Sequence, residues 1–106
     1  MASDLQMNDK TLLELAAKAA GIAAHTFIDG SFLHILHGQI VARWNPLDDD
    51  GDALRLAVKL EMSIVFGANY VVVGDVQMPT VNNSNDPYAA TRRAIVRCAA
   101  EIGKAA

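Results

Sequence analysis

One cysteine, Cys98, stands in 106 residues, so no disulfide can close within the chain. No apolar run approaches the roughly 18 residues that a membrane-crossing helix needs. The N-terminus shows no positively charged stretch followed by an apolar one, so no secretory signal is visible and the expected compartment is the cytoplasm. Basic residues are the scarcer sign: nine Lys plus Arg against twelve Asp plus Glu give a net charge of −3 and a pI near 5.4. A nucleic-acid binder usually carries the opposite balance, because phosphate contacts dominate its affinity. The seven glycines form neither a dinucleotide fingerprint nor a P-loop, and no serine elbow or HExxH pair occurs. Nothing in the chain therefore assigns a catalytic residue, a cofactor or a metal, and the reading leans away from an enzyme.

What is present describes one globular domain. Hydrophobic residues make up 52% and charged residues 20%, too apolar for a disordered chain. A chain of this length buries about 60–70% of its unfolded surface, enough for a core without staples. Residues 1–7 read as an N-terminal extension and 8–106 as the domain.

The spacing predicts a first helix over 9–20, with Asn8 as N-cap and Gly21 just past its end. Its polar stripe is thin: Lys10, Glu14 and Lys18. Three strands follow over 24–28, 31–36 and 39–44, with turns at Asp29-Gly30 and His37-Gly38 and a stop at Asn45-Pro46. A second helix is expected over 51–61, with Asp48, Asp49 and Asp50 just before it as capping carboxylates and Asp52 in the first turn; Asp52, Arg55 and Lys59 make another thin stripe. Helices wet on so narrow a strip want cover on more than one side. Strands over 63–66 and 70–76 come next, the Val71-Val72-Val73 run suiting a strand covered on both faces, and 77–85 reads as a loop. Asp86-Pro87 opens a third helix as cap and first-turn proline, ending near Ile102 with Gly103 beyond it. Tyr88, Thr91, Ile95, Cys98, Ala99 and Ile102 share its expected buried face; Arg93, Arg97, Glu101 and Lys104 share the other. The expected fold class is α+β, an α/β/α-type sandwich of order α-β-β-β-α-β-β-α with three helices and a mainly antiparallel sheet.

Several clusters invite chemistry. An EF-hand loop with Gly51 at its sixth position would start at Pro46 and end at Ala57, without the required carboxylates. His25, His34 and His37 do not share a strand face, and zinc wants three or four ligands. Helix capping and ordinary strand histidines are the preferred readings. Cys98 has no neighbouring base and reads as a small buried hydrophobe. Trp44, the only tryptophan, is expected to pack in the core. Arg92, Arg93 and Arg97 form the one basic cluster. They are either a solvated helix face, with Arg97 paired to Glu101, or a contact surface for phosphate or an acidic partner.

Two segments are distinctive, residues 44–60 (WNPLDDDGDALRLAVKL) and 86–97 (DPYAATRRAIVR). With 12–21 (LLELAAKAAG) they resemble the phage ABA-sandwich domain family of small phage and prophage proteins, over nearly the whole chain from Met7 onward. The resemblance implies an α/β/α arrangement, a bacterial host cytoplasm, and Met7 as an alternative start. It carries over no activity, cofactor or catalytic residue. Asp50, Asp86 and Pro87 are then structural caps. The function expected is that of a non-enzymatic accessory protein binding a host or phage protein, with self-association to cover the thinly polar helices and no membrane contact. The alternative is nucleic-acid contact through Arg92, Arg93 and Arg97. The order α-β-β-β-α over 8–61 is also that of double-stranded-RNA-binding domains, but Asp50 and Asp52 stand where those domains place basic residues.

Overall fold

Asn8 starts the first helix as expected. In the computed structural model, which describes residues 8–22, 26–28, 30–80 and 86–105, its Oδ1 accepts from the Thr11 N–H at 2.8 Å and α1 runs over Asp9–Ala20. Gly21 closes it in the left-handed conformation (φ 71°), its N–H bonding Lys18 O while the Ile22 N–H bonds Ala17 O. That pair of bonds is a Schellman motif, which satisfies carbonyls the helix end would otherwise orphan.

The second helix, α2 (Asp50–Lys59), differs from expectation at both ends. Its N-cap is Asp49, not Asp50: Asp49 Oδ2 accepts from the Asp52 N–H at 2.8 Å, and Asp50 is already helical. At the other end the chain leaves the helix before Glu61. Glu61 N–H bonds Val58 O and Met62 N–H bonds Ala57 O, the same motif as at Gly21, so Glu61 is forced to φ 55°. A side chain there costs about 1–2 kcal/mol that glycine does not incur. Glu61 is exposed, and Glu61→Gly is expected to stabilise the fold by about 0.5–1 kcal/mol, raising Tm by about 3–6 °C in a thermal melt followed by circular dichroism.

The strands form two separate three-stranded antiparallel sheets. The first joins β1 (Thr26–Ile28), β2 (Ser31–Leu36) and β3 (Gln39–Trp44) as a meander, with a one-residue register slip between His34 and Ile35. His37 (φ 55°) and Gly38 (φ 78°) make its second turn with positive φ at both positions, the geometry of a primed hairpin turn. The second sheet joins β4 (Ile64–Phe66), β5 (Tyr70–Val73) and β6 (Val76–Pro79). Here the expected strand over 70–76 and loop over 77–85 are corrected. The chain reverses at Gly74-Asp75, with positive φ on Gly74 (57°), and returns as β6. Pro79 is tolerated because β6 is an edge strand. Residues 81–85 of that expected loop, and residues 24–25 of the expected first strand, lie outside the described residues.

The α+β class is thus what the chain adopts, with three helices and, among the described residues, one strand more than expected. The last helix, α3 (Pro87–Ala105), is its hub, packing on α1, α2, β5 and β6. Leu13 of α1, Val71 and Val73 of β5 and Val96 of α3 are fully buried, among a lining of alanines. Neighbours on several sides of one helix shift its buried face from the expected one: Ala94, Val96, Ala100 and Gly103 are enclosed with Ile95 and Ala99, while Tyr88 and Ile102 are exposed. Gly103 is not a cap. It lies buried inside the helix, which continues to Ala105, and faces the Leu15 backbone of α1. Trp44 is half-buried against the core.

Candidate binding groove at the α2–α3 junction

The acidic run before α2 is an internally bonded joint. Asn45 organises it: its Oδ1 accepts from the Leu47 N–H (3.0 Å), its Nδ2 donates to Gly30 O (2.8 Å), and its backbone N–H donates to Asp52 Oδ2 (2.9 Å). Asp52 also accepts from Arg55 Nη2 at 2.7 Å. Asp49 and Asp52 of the acidic run are thus engaged as cap and brace, and among the described residues no group of three or more His, Cys, Asp or Glu is placed to hold a metal. His37 is exposed in its turn; the side chains of His25 and His34 lie outside the described residues.

The two distinctive segments meet through Arg92. Its Nε donates to Leu47 O at 2.9 Å and its Nη1 to Asp50 Oδ1 at 2.7 Å, tying the first turn of α2 to α3. The other arginines diverge. Arg93 reaches Asp9 at the start of α1 (3.0 Å), and Arg97 lies over Met78 of β6, Nη1 to Sδ 3.7 Å. Arg92, Arg93 and Arg97 therefore brace three different elements rather than crowding one face. Asp86 and Pro87 sit as expected: Asp86 Oδ1 accepts from the N–H groups of Tyr88 (3.0 Å) and Ala89 (3.1 Å), and Pro87 is the first helical residue.

Beside the Arg92–Asp50 pair a groove of about 340 Å³ runs between α2, α3 and the end of β4. Ala53 and Leu54 of α2, Phe66 of β4, and Tyr88, Thr91 and Ile95 of α3 line it. Three of these side chains are far more exposed than apolar groups usually are at one place: Leu54 at 60%, Phe66 at 68% and Tyr88 at 70%. The thin polar stripe on α2 now has a structural counterpart, since Leu54 and Val58 one turn on both face solvent. Sequence reasoning placed Tyr88 on a buried face and missed the groove, because Phe66 reaches it from a strand 22 positions away in the chain.

A second concavity lies between α3 and the β5–β6 turn, lined by Asp75, Arg97, Cys98 and Glu101 among others. Burial pushes the Cys98 thiol above its ordinary pKa, and the nearby Asp75 carboxylate pushes the same way. A thiol so placed is a poor nucleophile at neutral pH.

No protein-family model, no curated protein and no solved structure matches the chain. No helix among the described residues is long and apolar enough to cross a membrane.

Proposed function

We propose that this protein is a small phage- or prophage-encoded accessory protein that acts without catalysis, by holding a host or phage protein against the groove between α2, α3 and β4. The observation that carries the reading is the exposure of Leu54, Phe66 and Tyr88 around one concave site. Large apolar and aromatic side chains around a pocket are what a partner's buried anchor residue needs. The two segments that carry the phage resemblance, 44–60 and 86–97, supply most of that groove, so the resemblance and the geometry point to the same place. The phage setting and the cytoplasmic location rest on the resemblance and on the sequence.

Nucleic-acid contact through Arg92, Arg93 and Arg97 ranks behind this reading. Arg92 and Arg93 each hold a carboxylate within 3.0 Å, so each would have to exchange an ion pair for a phosphate.

A pull-down of tagged protein from bacterial lysate, with and without nuclease, tests the proposal. The expected result is a protein partner retained after nuclease treatment and reduced at least about tenfold by Leu54→Glu or Tyr88→Glu. Both sites are exposed, so both variants should keep the wild-type melting curve. Capture that survives both substitutions defeats the groove reading. Recovery that vanishes with nuclease, and with alanine at the three arginines, transfers support to nucleic acid.

A further inference from the structure

We propose that β4 is a self-association edge, pairing antiparallel with β4 of a second copy about a two-fold axis at Val65. This contact adjoins the groove at Phe66 and forms without any partner bound there.

The backbone pattern sets the register. Gly67 N–H bonds Tyr70 O at 2.8 Å and Gly74 N–H bonds Ser63 O at 3.0 Å, while Val65 stands opposite Val72. Alternation along an antiparallel pair then directs the N–H and C=O groups of residues 63, 65 and 67 toward β5, and those of Ile64 and Phe66 toward the other edge. Among the described residues no strand pairs with that edge. A two-fold at Val65 sets Ile64 of one copy opposite Phe66 of the other, and Phe66 opposite Ile64. Both pairs then have outward-pointing groups on both strands, so four backbone hydrogen bonds form with no group left over. The side chains agree with that register. Ile64 and Phe66 share the inner face of the sheet with Val71 and Val73, so each cross-copy pair is apolar. The two Val65 side chains meet on the outer face, where Val65 is 56% exposed.

Nothing in this segment guards against such pairing. Residues 63–67 (SIVFG) carry no charge and no proline. The opposite edge of the same sheet differs. Val71 pairs with Met78 and Val73 with Val76, so Gln77 and Pro79 face outward on β6, and proline there offers no N–H. In this register Glu61 faces Asn69 of the other copy, so no like charges oppose one another.

The area sets the strength. Val65 and Phe66 are the exposed apolar side chains that this pairing covers, and two per copy fall well short of the roughly 800 Å² per partner of a tight interface. The dimer should therefore be weak and dependent on concentration.

Sedimentation equilibrium from about 1 µM to 1 mM tests this. The expected result is an average mass that rises from 11.3 kDa toward twice that value. Hydrogen exchange of the Ile64 and Phe66 amides should slow in step with it. Val65→Lys sets two ammonium groups against each other at the axis and should weaken association at least tenfold. Val65 is exposed and points away from the inner face, so the melting curve of the monomer should not change. A wild-type mass fixed at 11.3 kDa overturns the proposal. So does a dimer that persists in Val65→Lys, or one whose Ile64 and Phe66 amides exchange at the monomer rate.

Discussion

Gly103→Ala should lower stability by about 2 kcal/mol, and Gly103→Val by about 4, even though alanine is the better helix former by roughly 1 kcal/mol. The reason is the crossing of α1 and α3, the most extensive contact between any two elements. A Cβ built on Gly103 collides with the Leu15 carbonyl oxygen and lies 2.8 Å from its carbonyl carbon. The obstacle is backbone, which cannot rotate aside as a side chain can. The helices must separate, and the contacts that hold them close are small: Ala16, Ala17 and Ala20 on α1, Ala99 and Ala100 on α3, all buried. Separation opens voids along that line, and each void loses dispersion contacts on both walls. A fall of about 10 °C in Tm is expected for alanine, and at least about 16 °C for valine. The sign for alanine is decisive. Gly103 is two residues from the last helical residue, and a last turn free to fray would make Gly103→Ala neutral or stabilising. A raised Tm would show that the crossing is looser than its geometry states.

Gly103 also shows where reading the chain failed. A glycine after a helical run, followed by Lys104 and two alanines, looks like a cap from sequence alone, and the same rule is right at Gly21. The two glycines differ only in what lies opposite, which is set by residues some 88 positions away. Elements governed by near neighbours were legible: Asn8, Gly21, the turns of the first meander, Asp86 and Pro87 all act within four residues. The β5–β6 reversal was within reach too, since Gly74-Asp75 between apolar residues is a hairpin signal. The apolar run before it and Pro79 after it argued for one strand and a loop. Much of the candidate site was not legible. The direction of each arginine depends on Asp50, Asp9 and Met78, and helical periodicity says only which residues share a face. Tyr88 lies on the face periodicity assigned to the interior, but the core ends below it, and exposure there is a property of the whole fold.

Asn45→Ala is the second large effect, about 2 kcal/mol, or roughly 8–16 °C in Tm. The substitution removes the acceptor of the Leu47 N–H and the donor to Gly30 O, both partly buried, and leaves each without a protein partner. Water can reach part of the joint, which keeps the cost below that of two fully buried orphans. The consequence extends to the groove. Gly30 O belongs to the first sheet's turn, and Leu47 O holds the Arg92 Nε that braces α2 on α3. Loosening the Leu47 segment should therefore weaken partner capture, although Asn45 does not line the groove. A double-mutant cycle separates this from simple destabilisation. Asp52→Ala removes the acceptor of the Asn45 N–H and the brace on Arg55, so the two substitutions dismantle one network and should couple by at least about 0.5 kcal/mol. Additive losses would mean that the Asn45 turn and the Asp52 brace act independently.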